Sequence, residues 1–502
     1  MKHTIVKNSI LNVVFSLSNG FLGLLLLPFM TVKLGKLDYG LYALLILFSG
    51  SGYVQILELG LQSSVTKFTA QFFARGELYK IKTLLSTVFI NFLGLALISF
   101  VIGNSVRGPL VRLLNIPLDR QDLAMLCLSI TFGNYFFTLP NLAVTGVLQG
   151  YRHFSYLRSS EFFINLLRSV LIVLNLIYWP DLFTLLIINF ATSFLQLLVN
   201  LAIVYVKCDG IYPSPASFTW SIITEIRSMT LWIFVGRVCS TLFKQTDRLF
   251  ISILLGPAAV TEYELFTKVP YVLKSIFGQV NEIIMPTSSH LNESKDRERT
   301  LKTLFYKSTR WQMFISLPVY SILICYAAEF LGGWAGPQSI YLSTPFILAV
   351  VMSMTLVFSG GTSMLLGANL RMREMSLLTI IAAIINVGAT YIFLQEFGLS
   401  GAIFGSLVGI GLQLPLSFYY FAKEFKISVF QILREYLYYL GLGVAAFAFK
   451  FYFLNDLFTK TALTNAVCAA ILLCVLYLAA FFFILDEEDR MIIHNLKKRF
   501  VA

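Results

Sequence analysis

Charge is scarce in this chain. Of 502 residues, 13% are Asp, Glu, Lys or Arg and 57% are apolar, whereas soluble domains carry about 25% charged and 45–50% apolar residues. So few charges cannot cover the water-facing surface of two or three soluble domains, so most of the surface faces lipid. The mean hydropathy of +0.77 agrees. Histidine is scarcer still: His3, His153, His290 and His494 all fall in basic loops or near the termini, without a paired motif. The six cysteines (Cys127, Cys208, Cys239, Cys325, Cys468 and Cys474) show no CxxC spacing, and all but Cys208 sit in apolar runs. Neither a disulfide framework nor a zinc site is expected. No GxxxxGK[ST] is present, which excludes a built-in ATPase, and HExxH and GxSxG are missing too. Without a positioned acid–base group, an enzyme and a bound cofactor are not expected. Acidic residues are outnumbered, for a net charge of +12. In a soluble protein that would suggest nucleic acid. In a bilayer protein it reports the Lys/Arg excess of cytoplasmic loops, so no nucleic-acid partner is expected.

Long apolar runs are plentiful. About 20 apolar residues cross a bilayer as a helix, and about 14 such spans are read at 8–32, 41–66, 83–105, 121–148, 161–179, 182–206, 228–254, 262–286, 308–333, 341–366, 376–396, 400–422, 435–455 and 463–485. Asn12 and Asn19 interrupt the first, and no small-residue cleavage site follows it, so it is not read as a signal peptide. Most of the 38 Lys and Arg residues lie in every second loop, beginning with residues 1–7 and including 287–310. The bias places both termini in the cytoplasm. The fold class expected is an all-α polytopic membrane protein.

Two sequence echoes suggest an internal repeat. L-G-K-L-D-Y-G-L-Y, Leu34 to Tyr42, matches L-G-P-A-A-V-T-E-Y, Leu255 to Tyr263, with the same Gly-to-Tyr spacing. L-Q-G-Y-R, Leu148 to Arg152, echoes L-L-G-A-N-L-R, Leu365 to Arg371. Residues 1–206 and 228–425 therefore read as two six-helix bundles in parallel repeat. A cytoplasmic linker at 207–227 joins them, its end from Trp220 to Arg227 placed to lie along the membrane surface. Residues 426–485 hold a peripheral helix pair with few polar side chains, and 486–502 form a cytoplasmic tail.

Polar side chains inside spans are expensive in hydrocarbon and face a bundle interior or a watery cavity. Residues at i, i+4, i+7 and i+11 share one helix face. Such faces carry Asn12, Ser16 and Asn19 in span 1, Ser51, Gln55, Glu58 and Gln62 in span 2, and Asn134, Thr138, Asn141 and Thr145 in span 4. They recur with Glu161, Asn165 and Arg168 in span 5, and Asn189, Ser193, Gln196 and Asn200 in span 6. Interhelical hydrogen bonding accounts for any one of these residues; the set fits a hydrated lumen. In span 7, Arg237, Thr241, Lys244 and Arg248 stack on one face. In span 8, Glu264, Lys268, Tyr271, Ser275 and Glu282 do so, with Lys274 to the side. Asp247 and Glu264 are placed to neutralise Arg248 and Lys268. Arg168, Arg237, Lys244 and Lys274 lack a local acidic partner, which points to an anionic ligand. Cross-helix pairing is the alternative. Gly401, Gly405 and Gly409, four residues apart, let a neighbouring backbone approach span 12 closely.

Several segments in order resemble the polysaccharide translocase branch of the multidrug/oligosaccharidyl-lipid/polysaccharide (MOP) exporter superfamily, which includes O-antigen flippases. They are E-L-G-L-Q-S-S-V-T-K-F-T-A-Q-F-F-A-R-G-E (Glu58 to Glu77), L-G-K-L-D-Y-G-L-Y, and Q-T-D-R-L-F-I-S-I-L-L-G (Gln245 to Gly256). L-L-G-A-N-L-R-M-R-E-M through I-I-N-V-G-A-T-Y, followed by G-L-S-G-A, completes the set. The resemblance implies a two-lobed, 14-helix transporter of the bacterial cytoplasmic membrane, working by alternating access on an undecaprenyl-pyrophosphate-linked oligosaccharide. It also implies membrane lipids, a polysaccharide polymerase and chain-length proteins as partners. The cationic central cavity described for such proteins agrees with Arg237, Lys244 and Arg248, and extends to Lys268, Lys274 and Arg168. Glu58, Asp247, Glu264 and Glu282 are candidates for holding a coupling ion, H+ or Na+, or for ion pairing. A multidrug cation exporter would need a net acidic lumen, and span 1 lacks the acidic group that branch often uses. A membrane enzyme of envelope synthesis is the other alternative.

Overall fold

The computed structural model describes residues 2–49, 52–58, 60–290, 297–368 and 372–425, with 428–430, 437 and 441 beyond them. Most of the span expected at 435–455, the one at 463–485 and the tail 486–502 lie outside the described residues. The described residues form helices joined by short turns, with no strand among them. In chain order these are α1 (Lys2–Leu47), α2 (Val54–Leu57), α3 (Leu61–Ala74), α4 (Leu78–Leu113), α5 (Gln121–Gly133), α6 (Tyr135–Gly150), α7 (Phe154–Tyr178) and α8 (Leu182–Lys207). They continue with α9 (Trp220–Leu255), α10 (Pro257–His290), α11 (Arg297–Cys325), α12 (Ala327–Trp334), α13 (Ser343–Ala368), α14 (Met372–Phe397) and α15 (Leu399–Phe425). Among the described residues eight helices are long and apolar enough to cross a membrane, or nine if α11 and α12, bent by 83°, count as one broken span. The protein is an all-α, multi-pass membrane protein.

The chain packs as two compact units, Met1–Val272 with Met372–Leu414, and Leu273–Arg371 with Pro415–Ala502. In the first unit α1 packs on α7, α7 on α8, α8 on α6, α6 on α3 and α4, and α9 on α14. Close approach is built into the sequence. Gly146 and Gly150 on α6 leave no room for a Cβ beside Val65 and Thr69 of α3, and Gly405 on α15 lies against the Thr390 backbone of α14. In the second unit α11 packs on α13, and α12 also rests on α13. There Tyr320 and Ser353 share a hydrogen bond of 2.9 Å in the buried interface.

Two corners of the first unit are alike. Gly35, within α1, has φ 81° and ψ 165°, and Gly256, between α9 and α10, has φ 85° and ψ 169°. Both conformations are open to glycine and strained for other residues. Seven residues on in each stands a buried tyrosine, Tyr42 and Tyr263. The second sequence echo falls partly at residues 369–371, outside the described residues.

Span 2 differs from expectation. The helix after Gly35 ends at Leu47, α2 is a single turn, and α3 starts only after Gly60, which is left-handed at φ 74°. Window hydropathy sums apolar content and does not register such breaks. Glu58 and Gln62 therefore do not share one helix face; Ser51 and the side chain of Gln55 lie outside the described residues. Gln62 Nε2 donates to Thr145 Oγ1 at 3.0 Å, and Thr66 Oγ1 to Gln149 Oε1 at 3.2 Å, so these polar groups join α3 to α6. Span 4 is likewise two helices, α5 and α6, meeting at Asn134.

The linker ends earlier than expected, because the extended Thr219 starts α9 directly. It is held against α4: Ser214 N donates to Ser86 Oγ at 2.9 Å and Thr219 N to Thr87 Oγ1 at 3.0 Å. The ammonium of Lys82 lies 4.2 Å from the Tyr212 ring centre. Cys208, at the start of the linker, is buried. Burial and the neighbouring Asp209 push its thiol up to about 12. Because the thiolate is the nucleophile, Cys208 is expected to stay unmodified by maleimide at pH 7 in the folded protein and to react after denaturation. Mass spectrometry of the labelled protein reads this directly.

Candidate functional site

A cavity of about 770 Å³ opens among the helices of the first unit. Its walls come from α1, α5, α6, α7 and α8, with side chains of α9 and α10 completing the lining. From α1 come apolar Leu22, Leu26, Leu27 and Met30, and polar Asn19, Tyr39 and Tyr42. Asn134, Thr138 and Asn141 follow along α5 and α6, Glu161, Asn165 and Arg168 along α7, and Asn189, Ser193 and Gln196 along α8. The spacings of three and four residues turn these polar side chains to one side, and each helix packs its apolar faces elsewhere.

Charge in the cavity is unevenly compensated. Arg248 is paired with Glu264 across α9 and α10, and its Nη1 also donates to Gln245 Oε1 at 2.8 Å. Glu161 pairs with Arg158 at 2.8 Å, one turn earlier on α7. Arg168 and Lys268 also line the cavity, and among the described residues neither has an acidic partner. The Nε of Arg168 is fixed by Thr192 Oγ1 at 2.8 Å, and Thr192 is itself anchored to the Ile188 carbonyl at 2.7 Å. Beside them Asn189 Nδ2 donates to the Tyr42 hydroxyl at 3.1 Å. The guanidinium is thus held by one edge, and among the described residues its other nitrogens have no hydrogen-bond partner and are placed to meet an anion. A fixed, uncompensated cation walled in by protein attracts phosphate or carboxylate more strongly than one in bulk water.

Asp247 was placed by sequence beside Arg248 or Lys268, and its surroundings are different. It is buried, and among the described residues it makes no ion pair. Tyr263 donates to its Oδ2 at 2.9 Å, Ser406 to the same oxygen at 3.1 Å, and Thr390 to Oδ1 at 3.4 Å. Asn386 Nδ2 donates to Ser406 at 3.1 Å, while its Oδ1 is buried without a partner. Adjacent residues on a helix face directions about 100° apart. Arg248 therefore lines the cavity while Asp247 points into the packing against α14 and α15.

Of the other expected site residues, Asn19, Asn134, Asn141, Asn165 and Gln196 line the cavity. Glu58 is buried outside it, and Lys274 is not among its lining residues. The side chains of Asn12, Gln55, Arg237, Lys244 and Glu282 lie outside the described ones. Tyr39 and Tyr42 line the cavity unanticipated. The repeated Gly-to-Tyr spacing was the one signal that marked Tyr42. Near Gly35 and Gly256 a cluster of polar contacts ties α1 and the α4–α5 turn to α9 and α10. Lys36 pairs with Glu262 at 2.7 Å and Arg120 with Asp38 at 3.3 Å. Thr261 donates to the Lys36 carbonyl at 2.5 Å and Ser252 to that of Leu114 at 2.6 Å. A Cβ at Gly40 would fall onto the Pro257 carbonyl.

Comparison with known proteins places this architecture. An uncharacterized membrane protein of Bacillus subtilis (strain 168), EpsK, is 26% identical over 354 residues, covering 69% of this chain and 66% of that protein, just under two thirds of its length. The lipid II flippase MurJ in an inward closed conformation shares the fold with a TM-score of 0.72 at 14% identity, over 94% of this chain and 99% of MurJ. A multidrug resistance MATE family transporter of the MOP superfamily, in an inward-facing conformation, does so with a TM-score of 0.65 at 16% identity, over 82% of this chain and 94% of that one. The model of the polysaccharide biosynthesis protein family matches residues 5–292, more than half of the chain and all of the described cavity. With the MOP fold around a polar, cation-bearing cavity, this chain belongs to the polysaccharide biosynthesis protein family.

Proposed function

We propose that the protein is a secondary transporter that moves an undecaprenyl-pyrophosphate-linked oligosaccharide, such as an O-antigen repeat unit, across the bacterial cytoplasmic membrane by alternating access. The observation that carries this reading is the cavity itself, in which uncompensated Arg168 and Lys268 stand among amides and hydroxyls. Sugar hydroxyls, which lipid cannot solvate, exchange water for Asn, Gln, Ser and Thr side chains. The pyrophosphate takes charge-assisted hydrogen bonds from Arg168 and Lys268. Arg237 and Lys244 on α9 add positive potential along its route, while Arg248 is taken up by Glu264. The polyprenyl tail stays in lipid. The two expected six-helix bundles, residues 1–206 and 228–425, are the bodies that move in this cycle.

Asp247 suits the coupling ion better than the other carboxylates. Glu264 is taken up by Arg248, whereas Asp247 is ringed by hydroxyls, with the orphaned Asn386 Oδ1 in the same cluster. A buried carboxylate without a cationic partner is costly. A proton or Na+ held there offsets that cost, and its binding and release link the site to an ion gradient.

Reconstitution tests the function. Purified protein in liposomes without nucleotide is expected to expose a fluorescent undecaprenyl-pyrophosphate oligosaccharide to an added quencher faster than protein-free vesicles do. Equal rates would overturn the proposal. Export of small cationic dyes by the same vesicles would favour the multidrug reading.

A further inference from the structure

Within the cavity wall one buried amide holds two others. Asn200 on α8 is fully buried. Its Nδ2 donates to Asn141 Oδ1 on α6 at 2.9 Å, and its Oδ1 accepts from Gln196 Nε2 at 3.1 Å. Gln196 Nε2 also reaches Ser160 Oγ at 3.2 Å, and that hydroxyl lies 2.8 Å from Asn200 Oδ1. Asn141 and Gln196 line the cavity; Asn200 does not.

Counting donors and acceptors fixes what this cluster shows to the cavity. Asn141 has its oxygen engaged, so it presents an N–H donor. Gln196 has its nitrogen engaged, so it presents an acceptor oxygen. The opposite polarity is forced, because a single amide bridging two others offers its nitrogen end to one and its oxygen end to the other. The hub is out of reach of solvent, so the polarity cannot be scrambled cheaply.

We infer that Asn141 and Gln196, oriented by Asn200, form a saccharide subsite selective for an acetamido group. This rests on the transport reading above and names the sugar chemistry. The acetamido carbonyl accepts from Asn141 Nδ2, and the acetamido N–H donates to Gln196 Oε1. A sugar hydroxyl offers its donor and acceptor at one atom. An acetamido group carries them on separate atoms, and the wall likewise offers its donor and acceptor on separate side chains, Asn141 on α6 and Gln196 on α8. Asn200 touches no substrate and is a positioning residue.

The test compares two polyprenyl-pyrophosphate lipids in liposomes, one bearing a 2-acetamido-2-deoxyhexose and one the corresponding 2-hydroxy hexose. The two hydrogen bonds at issue are each of modest net strength, which sets the expected preference of the unaltered protein for the acetamido lipid at about tenfold. Asn141→Leu, Gln196→Met and Asn200→Leu are each expected to bring the acetamido-to-hydroxy rate ratio close to one. A general loss of structure would lower both rates and leave the ratio alone. Size-exclusion profiles check folding, and Asn200→Asp supplies a gentler change at the hub that should also reduce the ratio. A ratio near one in the unaltered protein, or an unchanged ratio in the variants, overturns the subsite. If neither lipid moves in the unaltered protein, the transport reading itself falls and the subsite with it.

Discussion

Exchanging Arg168 for glutamate is expected to abolish lipid-linked oligosaccharide transport, by more than about 100-fold, with protein in the membrane at normal levels. Two unit charges about 6 Å apart at an effective dielectric of about 20 interact by about 3 kcal/mol, equivalent to about two orders of magnitude in binding. The exchange both removes this attraction and replaces it by repulsion. Arg168→Gln keeps a polar group toward Thr192 and loses only the charge, so about a tenfold or greater loss is expected. Arg168→Lys should do the least harm, because positive potential survives even when the planar fork is lost. Thr192→Val, which releases the Nε bonded at 2.8 Å, should weaken transport moderately by letting the guanidinium swing. Complementation of a flippase-null strain, with immunoblots beside it, separates function from abundance. Normal transport by Arg168→Glu would remove the anion-binding role from the cavity.

The second large effect is expected at Asp247. Asp247→Asn should cut gradient-driven transport by more than about tenfold and make the residual rate insensitive to the imposed ion gradient. The fold should not suffer. Removing a buried charge that has no cationic partner relieves a desolvation cost, and the hydroxyls of Tyr263, Ser406 and Thr390 can turn to accept from or donate to the amide. The thermal midpoint of the purified variant should therefore equal or exceed that of the unaltered protein. Stability retained with coupling lost is a signature that a purely structural Asp247 would not give. Proteoliposomes carrying separately a proton gradient and a sodium gradient identify the ion. Full gradient-driven transport by Asp247→Asn would assign Asp247 to packing alone.

Much of the site could be read from spacing. Glu161, Asn165 and Arg168 follow i, i+4, i+7, and the helix places all three in the cavity wall. The pairing of Glu264 with Arg248 was also within reach, since both lie near the ends of neighbouring spans. Three things were not legible. Span 2 contained enough apolar residues to cross, and nothing in a hydropathy window marks the turns at 48–49, at 52–53 and at Gly60. The environment of Asp247 depends on Thr390 and Ser406, more than a hundred residues away, and no local periodicity reports a contact of that kind. The orientation of Asn141 and Gln196 depends on Asn200, which in sequence is one more polar residue on the α8 face. Composition thus carried the fold class and periodicity the cavity wall, while the hydrogen-bond polarity of the wall needed the packed helices.

The contacts near Gly35 and Gly256 set an energy scale for motion. Lys36–Glu262 and Arg120–Asp38 are partly exposed, and such pairs contribute about 0–1 kcal/mol each. The two hydroxyl-to-carbonyl bonds from Thr261 and Ser252 add about 1 kcal/mol apiece. On the transport reading, these four contacts together bias the protein toward the closed arrangement by about 2–4 kcal/mol, so that an opened one is a minority at equilibrium. Offsetting that contribution takes a ligand that binds the opened arrangement about 30- to 1,000-fold better. On the transport reading, the closure works as a bias that substrate can outweigh, which is why weak surface pairs suit this position better than a buried apolar seam would.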